Sequence, residues 1–156
     1  GSFETLNKGE IGEADAVFST GNTLPHILTE KGLRSGFENV RSVVKPGGVF
    51  ALQLLNYDKI LHERNRIVNV TRSGEKLFVR FYDFLDTNIR FNILVITERN
   101  GSFEQELISS SLRPWLMDDA VTALKDAGFK NIDVYGDYAF NPYVSGESGN
   151  VVCIAV

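Results

Sequence analysis

Two apolar runs on either side of one amphipathic segment constrain the fold more than any other feature. EADAVFST at residues 13–20 and VFALQLL at residues 49–55 have almost continuous apolar centres. Such runs are typical of strands covered on both faces of a parallel α/β sheet. Residues 30–44 place five apolar side chains on one helical face: Leu33, Phe37, Val40, Val43 and Val44. The sequence therefore predicts a βαβ crossover, in which Lys-Pro-Gly-Gly at residues 45–48 ends the helix.

The segment that follows is of a different kind. Four strand-like runs fill residues 65–112, and Ser-Gly, Asp-Thr-Asn and Asn-Gly punctuate them. Asn100-Gly101 is a two-residue hairpin signal. Alternation in KLFVRFYDF indicates a strand with one solvated face and one dry face. We predict an antiparallel β insertion over residues 65–112.

The remainder returns to the first pattern. A helix is predicted over residues 115–129, strands over 130–138 and 151–156, and a loop at PYVSGESGN between these strands. No interdomain linker is visible, so residues 1–156 are interpreted as a single α/β domain.

Composition narrows the classes of partner. The 16 basic residues are scattered and the net charge is −4, which argues against a nucleic-acid partner. No apolar run is long enough to span a bilayer, and no signal peptide is visible, so no membrane partner is expected. Cys153 is the lone cysteine, and we expect it to be a buried hydrophobic residue. A chain with a single cysteine is expected in a reducing, cytoplasmic compartment. Gly1-Ser2 resembles an expression scar.

A polar turn follows the first predicted strand. Ser19, Thr20, Gly21 and Asn22 precede Leu24-Pro25-His26. Ligands of open α/β sheets bind outside the carboxyl ends of the strands. Glycine allows close backbone approach, and the hydroxyl and amide groups can hydrogen-bond a ligand. The alternative is an ordinary turn with left-handed residues.

Four stretches together resemble one family. They are the STGNTLPHI turn, VVKPGG before the next strand, LLNYDKIL after it, and LKDAGFKNIDVYGDY near the C-terminus. In this order they resemble class I S-adenosylmethionine-dependent methyltransferases, most closely the glycine/sarcosine N-methyltransferase type. The resemblance implies a partial Rossmann-like methyltransferase sheet, strands four to seven, with the antiparallel insertion.

The chain departs from that family at its beginning. The glycine-rich loop that would hold S-adenosyl-L-methionine is absent, and SGESG at residues 145–149 precedes a strand instead of following one. We interpret the chain as the C-terminal half of a methyltransferase domain, inactive alone. The strand at Ala14–Ser19 would then be an exposed edge, which favours pairing with a missing N-terminal half or with a second copy.

The resemblance also implies site residues. The expected cofactor-binding residues are Phe3, Ser19, Thr20, Gly21, Asn22 and Leu24. The expected catalytic residues are His26, Asn56 and Tyr57. Side-chain chemistry, and not the resemblance, suggests Arg80, Arg113 and Tyr138 as substrate residues: an arginine fork can hold a carboxylate, and an aromatic ring can line a pocket. The family's own arginine position aligns near Glu106, which favours an acceptor other than glycine. For His26 the alternative is a role in packing or capping the following helix, and for Tyr138 it is structural packing. No metal site is predicted.

The implied reaction is transfer of a methyl group to a small-molecule acceptor, an amine. The alternative is a non-catalytic binding or dimerisation module derived from the same half-fold. A nicotinamide dehydrogenase is disfavoured, because no Gly-x-Gly-x-x-Gly follows any predicted strand.

Overall fold

The computed structural model describes residues 3–99 and 101–156, which form two compact units. The first unit comprises residues 3–62 and 115–156, and the second comprises residues 63–114. Each unit contains one four-stranded sheet. The expected scar at Gly1-Ser2 lies outside the described residues.

The first sheet has the strand order β1, β2, β8, β7. The bounds are Ala14–Ser19 for β1, Val44–Leu55 for β2, Ile132–Tyr135 for β7 and Asn150–Ala155 for β8. β1 and β2 are parallel, whereas β8 is antiparallel to both β2 and β7. Within the described part of the chain, β1 pairs with β2 alone and is an edge strand, as predicted.

Four helices accompany this sheet. They are α1 at Lys8–Ile11, α2 at Glu30–Val43, α3 at Tyr57–Glu63 and α4 at Met117–Asp126, with 3-10 turns at Phe3–Thr5 and Leu24–His26. α2 forms the predicted crossover between the parallel strands β1 and β2. No helix among the described residues is both long enough and apolar enough to cross a bilayer.

The core of the first unit lies between α2 and β2. The predicted helical face is confirmed, because Leu33, Phe37, Val40 and Val43 are all buried. The rings of Phe37 and Phe50 meet edge to face, with centroids 5.9 Å apart. Such aromatic pairs add to the free energy gained from apolar burial.

The helix and the next strand meet earlier than predicted. Val44, expected on the helix, is the first residue of β2, and Lys-Pro-Gly-Gly lies within that strand. The register is irregular here, since Ala14 pairs with Val44 but Ala16 pairs with Val49. Such an irregularity accommodates a proline that cannot donate a ladder hydrogen bond. A Cβ at Gly48 would lie 2.8 Å from the Asp15 carbonyl oxygen, so this turn keeps the two strands close.

The later elements are shorter than their predicted segments. Trp115 and Leu116 precede α4, and β7 occupies only the middle of residues 130–138. The Trp115 indole is buried and its Nε1 donates to the Ile27 carbonyl oxygen at 2.8 Å. The tryptophan thus belongs to the core of the first unit.

The second sheet is an antiparallel meander in the order β3, β4, β5, β6. Its strands are Ile67–Ser73, Lys76–Phe84, Ile89–Arg99 and Ser102–Leu112. Arg99 pairs with Ser102, which closes a hairpin at the predicted turn, and Gly101 has φ of 79°. Asn100 itself lies outside the described residues. The observed strands agree with the predicted α/β fold class and its antiparallel β segment.

Candidate functional site

The parallel strands β1 and β2 run side by side to Ser19, which pairs with Leu52, and β2 continues to Leu55. Two polar segments continue from these ends: the turn Thr20–Thr23 and the start of α3 at Asn56-Tyr57. The carboxyl end of a parallel strand pair is where open α/β sheets bind ligands. We describe this edge as the polar rim.

The backbone of the first turn adopts a conformation that few residues tolerate. Gly21 has φ of 76° and Asn22 has φ of 60°. Glycine enters this left-handed region without steric cost, and asparagine does so more readily than most residues. The predicted turn with left-handed residues is therefore present, and its two N–H groups point in the same direction.

The side chain of Gln53 fixes this turn. Its Oε1 accepts from the Gly21 N–H at 2.7 Å and from the Asn22 N–H at 3.2 Å. Its Nε2 donates to Asn150 Oδ1 at 2.8 Å, which connects the turn to β8. Gln53 is buried near the carboxyl end of β2, so all of its polar atoms must find partners in the protein. Our sequence reading did not identify Gln53, although a polar residue inside ALQLL was a visible signal.

The side chain of Asn22 also connects the two strand ends. Its Nδ2 donates to the Tyr57 hydroxyl at 2.9 Å, and its Oδ1 accepts from the Leu55 N–H at 3.0 Å. Tyr57 is fully buried. The structure therefore brings the predicted residues Asn22 and Tyr57 into direct contact, and this contact is internal to the protein.

Asn56 lies beside Tyr57 but faces a different segment. Its Nδ2 donates to the carbonyl oxygens of Ser145 and Ser148, at 2.5 and 2.9 Å. Its Oδ1 accepts from the Tyr143 hydroxyl at 3.1 Å. Only 1% of Asn56 is exposed, so the side chain holds the loop of residues 143–149 against α3.

Tyr143 shares its proton between two acceptors. Its hydroxyl lies 3.1 Å from Asn56 Oδ1 and 3.0 Å from Asp58 Oδ2. Partial burial, followed by this hydrogen bond to the Asp58 carboxylate, raises the pKa of Tyr143 to about 12. The tyrosine is therefore a neutral hydrogen-bond donor throughout the physiological pH range.

An open cavity of about 420 Å³ lies at β1 and the polar rim. Four predicted residues line it: Phe3, Ser19, Thr20 and His26. The other lining residues are Leu6, Val17, Phe18, Thr23, Ile27, Val40 and Phe50. Ser19 Oγ is buried and has no hydrogen-bond partner among the described residues, so it is available to a ligand. His26 is exposed at the end of its 3-10 turn.

The other predicted residues lie elsewhere. Leu24 is fully buried and is not among the residues that line the cavity. Tyr138 follows β7 and is largely exposed. Arg80 lies on β4 of the second unit, where Nη1 donates to Asn69 Oδ1 at 3.0 Å and to Thr71 Oγ1 at 3.1 Å. Arg113 follows β6 in the second unit and is half-buried.

Comparison with known proteins supports the predicted resemblance. No family profile matches the chain. A glycine/sarcosine N-methyltransferase from Halorhodospira halochloris is 30% identical over 134 residues, which is 85% of this chain and 47% of that protein. A glycine/sarcosine/dimethylglycine N-methyltransferase from Actinopolyspora halophila is 25% identical over 85% of this chain and 22% of its own length. The chain thus spans about half the length, or less, of these curated relatives.

Solved structures share the fold. A S-adenosylmethionine-dependent methyltransferase from Clostridium acetobutylicum superposes with a TM-score of 0.82 at 17% identity, over 99% of this chain and 62% of that chain. An amino pentose methyltransferase from Micromonospora echinaspora, solved with bound S-adenosylmethionine, gives 0.69 at 14% identity, over 100% of this chain and 63% of that one. The predicted similarity to the glycine/sarcosine N-methyltransferase type and the partial Rossmann-like methyltransferase fold are both confirmed.

Proposed function

We propose that this chain is part of a S-adenosylmethionine-dependent methyltransferase that transfers a methyl group to a small-molecule acceptor, an amine. The observation that carries this proposal is the open cavity at the polar rim, in a chain related to enzymes named glycine/sarcosine N-methyltransferase. A cavity of about 420 Å³ lies within the usual range for small-ligand sites.

The lining of the cavity fits a cationic cofactor with polar arms. S-adenosyl-L-methionine, when bound, supplies a methyl group activated by a positively charged sulfur. The aromatic rings of Phe3 and Phe18 can attract a cation through their faces. The Ser19 hydroxyl, buried and without a partner, can hydrogen-bond a ligand. Thr20 adds a second hydroxyl at the same wall.

In this proposal Gly21 and Asn22 shape the turn beside the cofactor, since Gln53 already accepts from both of their backbone N–H groups. Gly21 has no side chain, and a Cβ there would meet nothing within 4 Å, so a ligand has room to approach. Asn22 positions the turn through its contacts with Leu55 and Tyr57. Leu24 contributes by anchoring the following 3-10 turn in the core.

His26 is the candidate for handling the acceptor's proton. An amine attacks a methyl carbon through its lone pair, so it must be neutral, and the product amine releases a proton. The imidazole of His26 is exposed and lines the cavity, and an imidazole nitrogen can accept a proton from a bound acceptor. Positioning of the two reactants can supply roughly 7–11 kcal/mol of the barrier reduction.

Asn56 and Tyr57 act as positioning residues in this proposal, because both side chains are buried and occupied by contacts within the protein. Arg80, Arg113 and Tyr138 are proposed to recognise the acceptor. An arginine fork can bind a carboxylate through two parallel hydrogen bonds. The neighbours of Arg80, Asn69 and Thr71, are neutral acceptors that leave its charge unneutralised.

The test is an assay of the longest reading frame that encodes this chain. The purified protein is incubated with methyl-labelled S-adenosylmethionine and with glycine, sarcosine, dimethylglycine or a neutral primary amine. We expect labelled product from at least one amine, and we expect His26→Ala to lower kcat more than it raises KM. If none of these amines is methylated, the amine assignment is refuted.

The isolated chain distinguishes the alternative function. Since no glycine-rich loop is present, we expect calorimetry to detect weak cofactor binding or none with residues 1–156 alone. The non-catalytic binding or dimerisation module would be favoured if the encoded full protein also fails to bind the cofactor. Tight binding by the isolated chain would contradict our view of it as a half-site.

A further inference from the structure

One face of the second sheet carries apolar side chains from all four strands. Successive residues of a strand point to opposite faces, and the observed register therefore assigns each residue to a face. We call one of them the Leu94 face. Its apolar residues are Ile67, Val70, Leu77, Val79, Phe81, Leu94, Ile96, Phe103 and Leu107.

The apolar members of this face are exposed or half-buried, whereas Asn92 on the same face is buried and hydrogen-bonded to Asp83 and Ser109. The four members on the outer strands are largely exposed: Phe103 at 71%, Leu107 at 58%, Ile67 at 57% and Val70 at 56%. The members on β4 and β5 are only half-buried. Contiguous apolar surface of this extent on a soluble protein marks an interaction surface.

We infer that the Leu94 face binds a second copy of this chain, with a twofold axis parallel to the strands and between β4 and β5. The register places Val70, Val79, Leu94 and Leu107 in one row across the sheet. A rotation about that axis exchanges β3 with β6 and β4 with β5. It therefore brings Val70 against the partner's Leu107, and Val79 against the partner's Leu94, as a self-complementary interface requires.

The charges on the same face agree with this symmetry. Asp83 and Arg90 face each other across β4 and β5 at one end of the sheet. The rotation that exchanges these strands brings Asp83 toward the partner's Arg90 and Arg90 toward the partner's Asp83. Asp83 is already held in its own chain by Arg66 at 2.6 Å and by Asn92 at 2.8 Å. The partner's Arg90 would therefore be a further cation at this carboxylate, and the apolar rows supply the main attraction.

The area is sufficient for a specific dimer. Four strands about 4.8 Å apart and about nine residues long, at about 3.4 Å per residue, give a face of roughly 600 Å². Two such faces bury roughly 1,200 Å², which reaches the lower limit for specific interfaces. Two sheets stacked about 10 Å apart with aligned strands form an ordinary sandwich core. This inference is independent of methyl transfer and of the free edge of β1.

The test is sedimentation equilibrium of the chain and of charge variants at two exposed positions. We expect the wild type to form a species of twice the 17.4 kDa chain mass. Val70→Lys or Leu107→Glu alone should raise the dimer dissociation constant by at least about 30-fold, the size of a hot-spot effect. Both positions are exposed in the monomer, so the substitutions should leave its thermal unfolding almost unchanged.

The double variant V70K/L107E tests the axis. Within one chain the two positions lie on the outer strands, about 14 Å apart, too far for an ion pair. Across the proposed axis, the introduced lysine faces the introduced glutamate of the partner. We therefore expect the double variant to recover most of the lost affinity, and we expect high salt to reduce that recovery.

Matched controls separate this surface from others. Ile108→Glu places the same charge on β6 one residue away, on the opposite face, since Ile108 pairs with Ile93. Phe18→Glu alters the exposed edge strand β1. Both should leave the dimer intact.

A wild-type monomer at about 100 μM, far above the dissociation constant of a typical specific dimer, would overturn the inference. A dimer that is lost in either control but not in V70K, or a double variant without recovery, would also overturn it.

Discussion

Asn56 is the residue whose removal tests the architecture of the polar rim most directly. Its buried amide satisfies the carbonyl oxygens of Ser145 and Ser148 and accepts the Tyr143 hydroxyl proton. A net contribution of about 1 kcal/mol for each of three hydrogen bonds predicts that Asn56→Ala lowers the free energy of unfolding by about 3 kcal/mol.

Asn56→Asp should be at least as damaging at neutral pH. The substitution keeps one acceptor oxygen but replaces the amide donor with a charged oxygen that faces two carbonyl oxygens. A buried charge without a donor costs more free energy than a lost hydrogen bond. The deficit should shrink as the pH falls toward about 4, because a protonated acid regains a donor.

The assay is urea unfolding followed by fluorescence of Trp115, the only tryptophan, which is buried in the same unit as Asn56. When the wild type and the variant show the same slope of unfolding free energy against urea concentration, the difference between their midpoints gives the change in stability. Asn65→Ala is the matched control, because that exposed amide bonds only to the exposed Glu63 carboxylate among the contacts described. The control should change stability by less than about 0.5 kcal/mol. An Asn56→Ala variant within about 1 kcal/mol of the wild type would refute the assigned role.

Four further predictions concern other buried groups. Gln53→Leu should lower the unfolding free energy by about 2–3 kcal/mol in the same assay. Gln53→Glu should be at least as damaging at neutral pH, because it buries a charge and replaces the donor to Asn150 Oδ1 with an oxygen. The pKa of Tyr143 is raised from 10.0 to about 12, so its stabilising contribution is present below pH 10 and lost as the pH rises through 12; Tyr143→Phe should show a shallower fall in stability over that window. Burial raises the pKa of Cys153 to about 12, so a thiol-specific colorimetric reagent should react with it only after unfolding. Gly48→Ala should destabilise β1–β2 pairing by more than about 1 kcal/mol, because its Cβ would lie 2.8 Å from the Asp15 carbonyl oxygen, whereas Gly149→Ala meets nothing within 4 Å.

The local elements and their order could be predicted from residue patterns alone. The spacing of Leu33, Phe37, Val40 and Val43 fixed the helix and its buried face. Period-two runs and turn residues fixed the four strands of the second sheet. The polar turn after β1 was also predictable, because positive φ at Gly21 and Asn22 follows from residue type. These features depend on neighbours within a few residues, so periodicity and turn chemistry are enough.

The polar groups that remain free for a ligand could not be predicted in this way, because they depend on contacts between distant segments. Asn56 and Tyr57 follow a strand end in the sequence, but their partners come from a loop about 90 positions later and from Asn22 across the sheet. Gln53 joins segments 32 and 97 residues away, and that role depends on the register of β1, β2 and β8. A buried hydrogen bond is fixed by which distant segments the sheet brings together, and no local pattern encodes that. The ligand roles of His26, Arg80, Arg113 and Tyr138 therefore stay predictions, whereas the buried amides of the rim already have their partners within the protein.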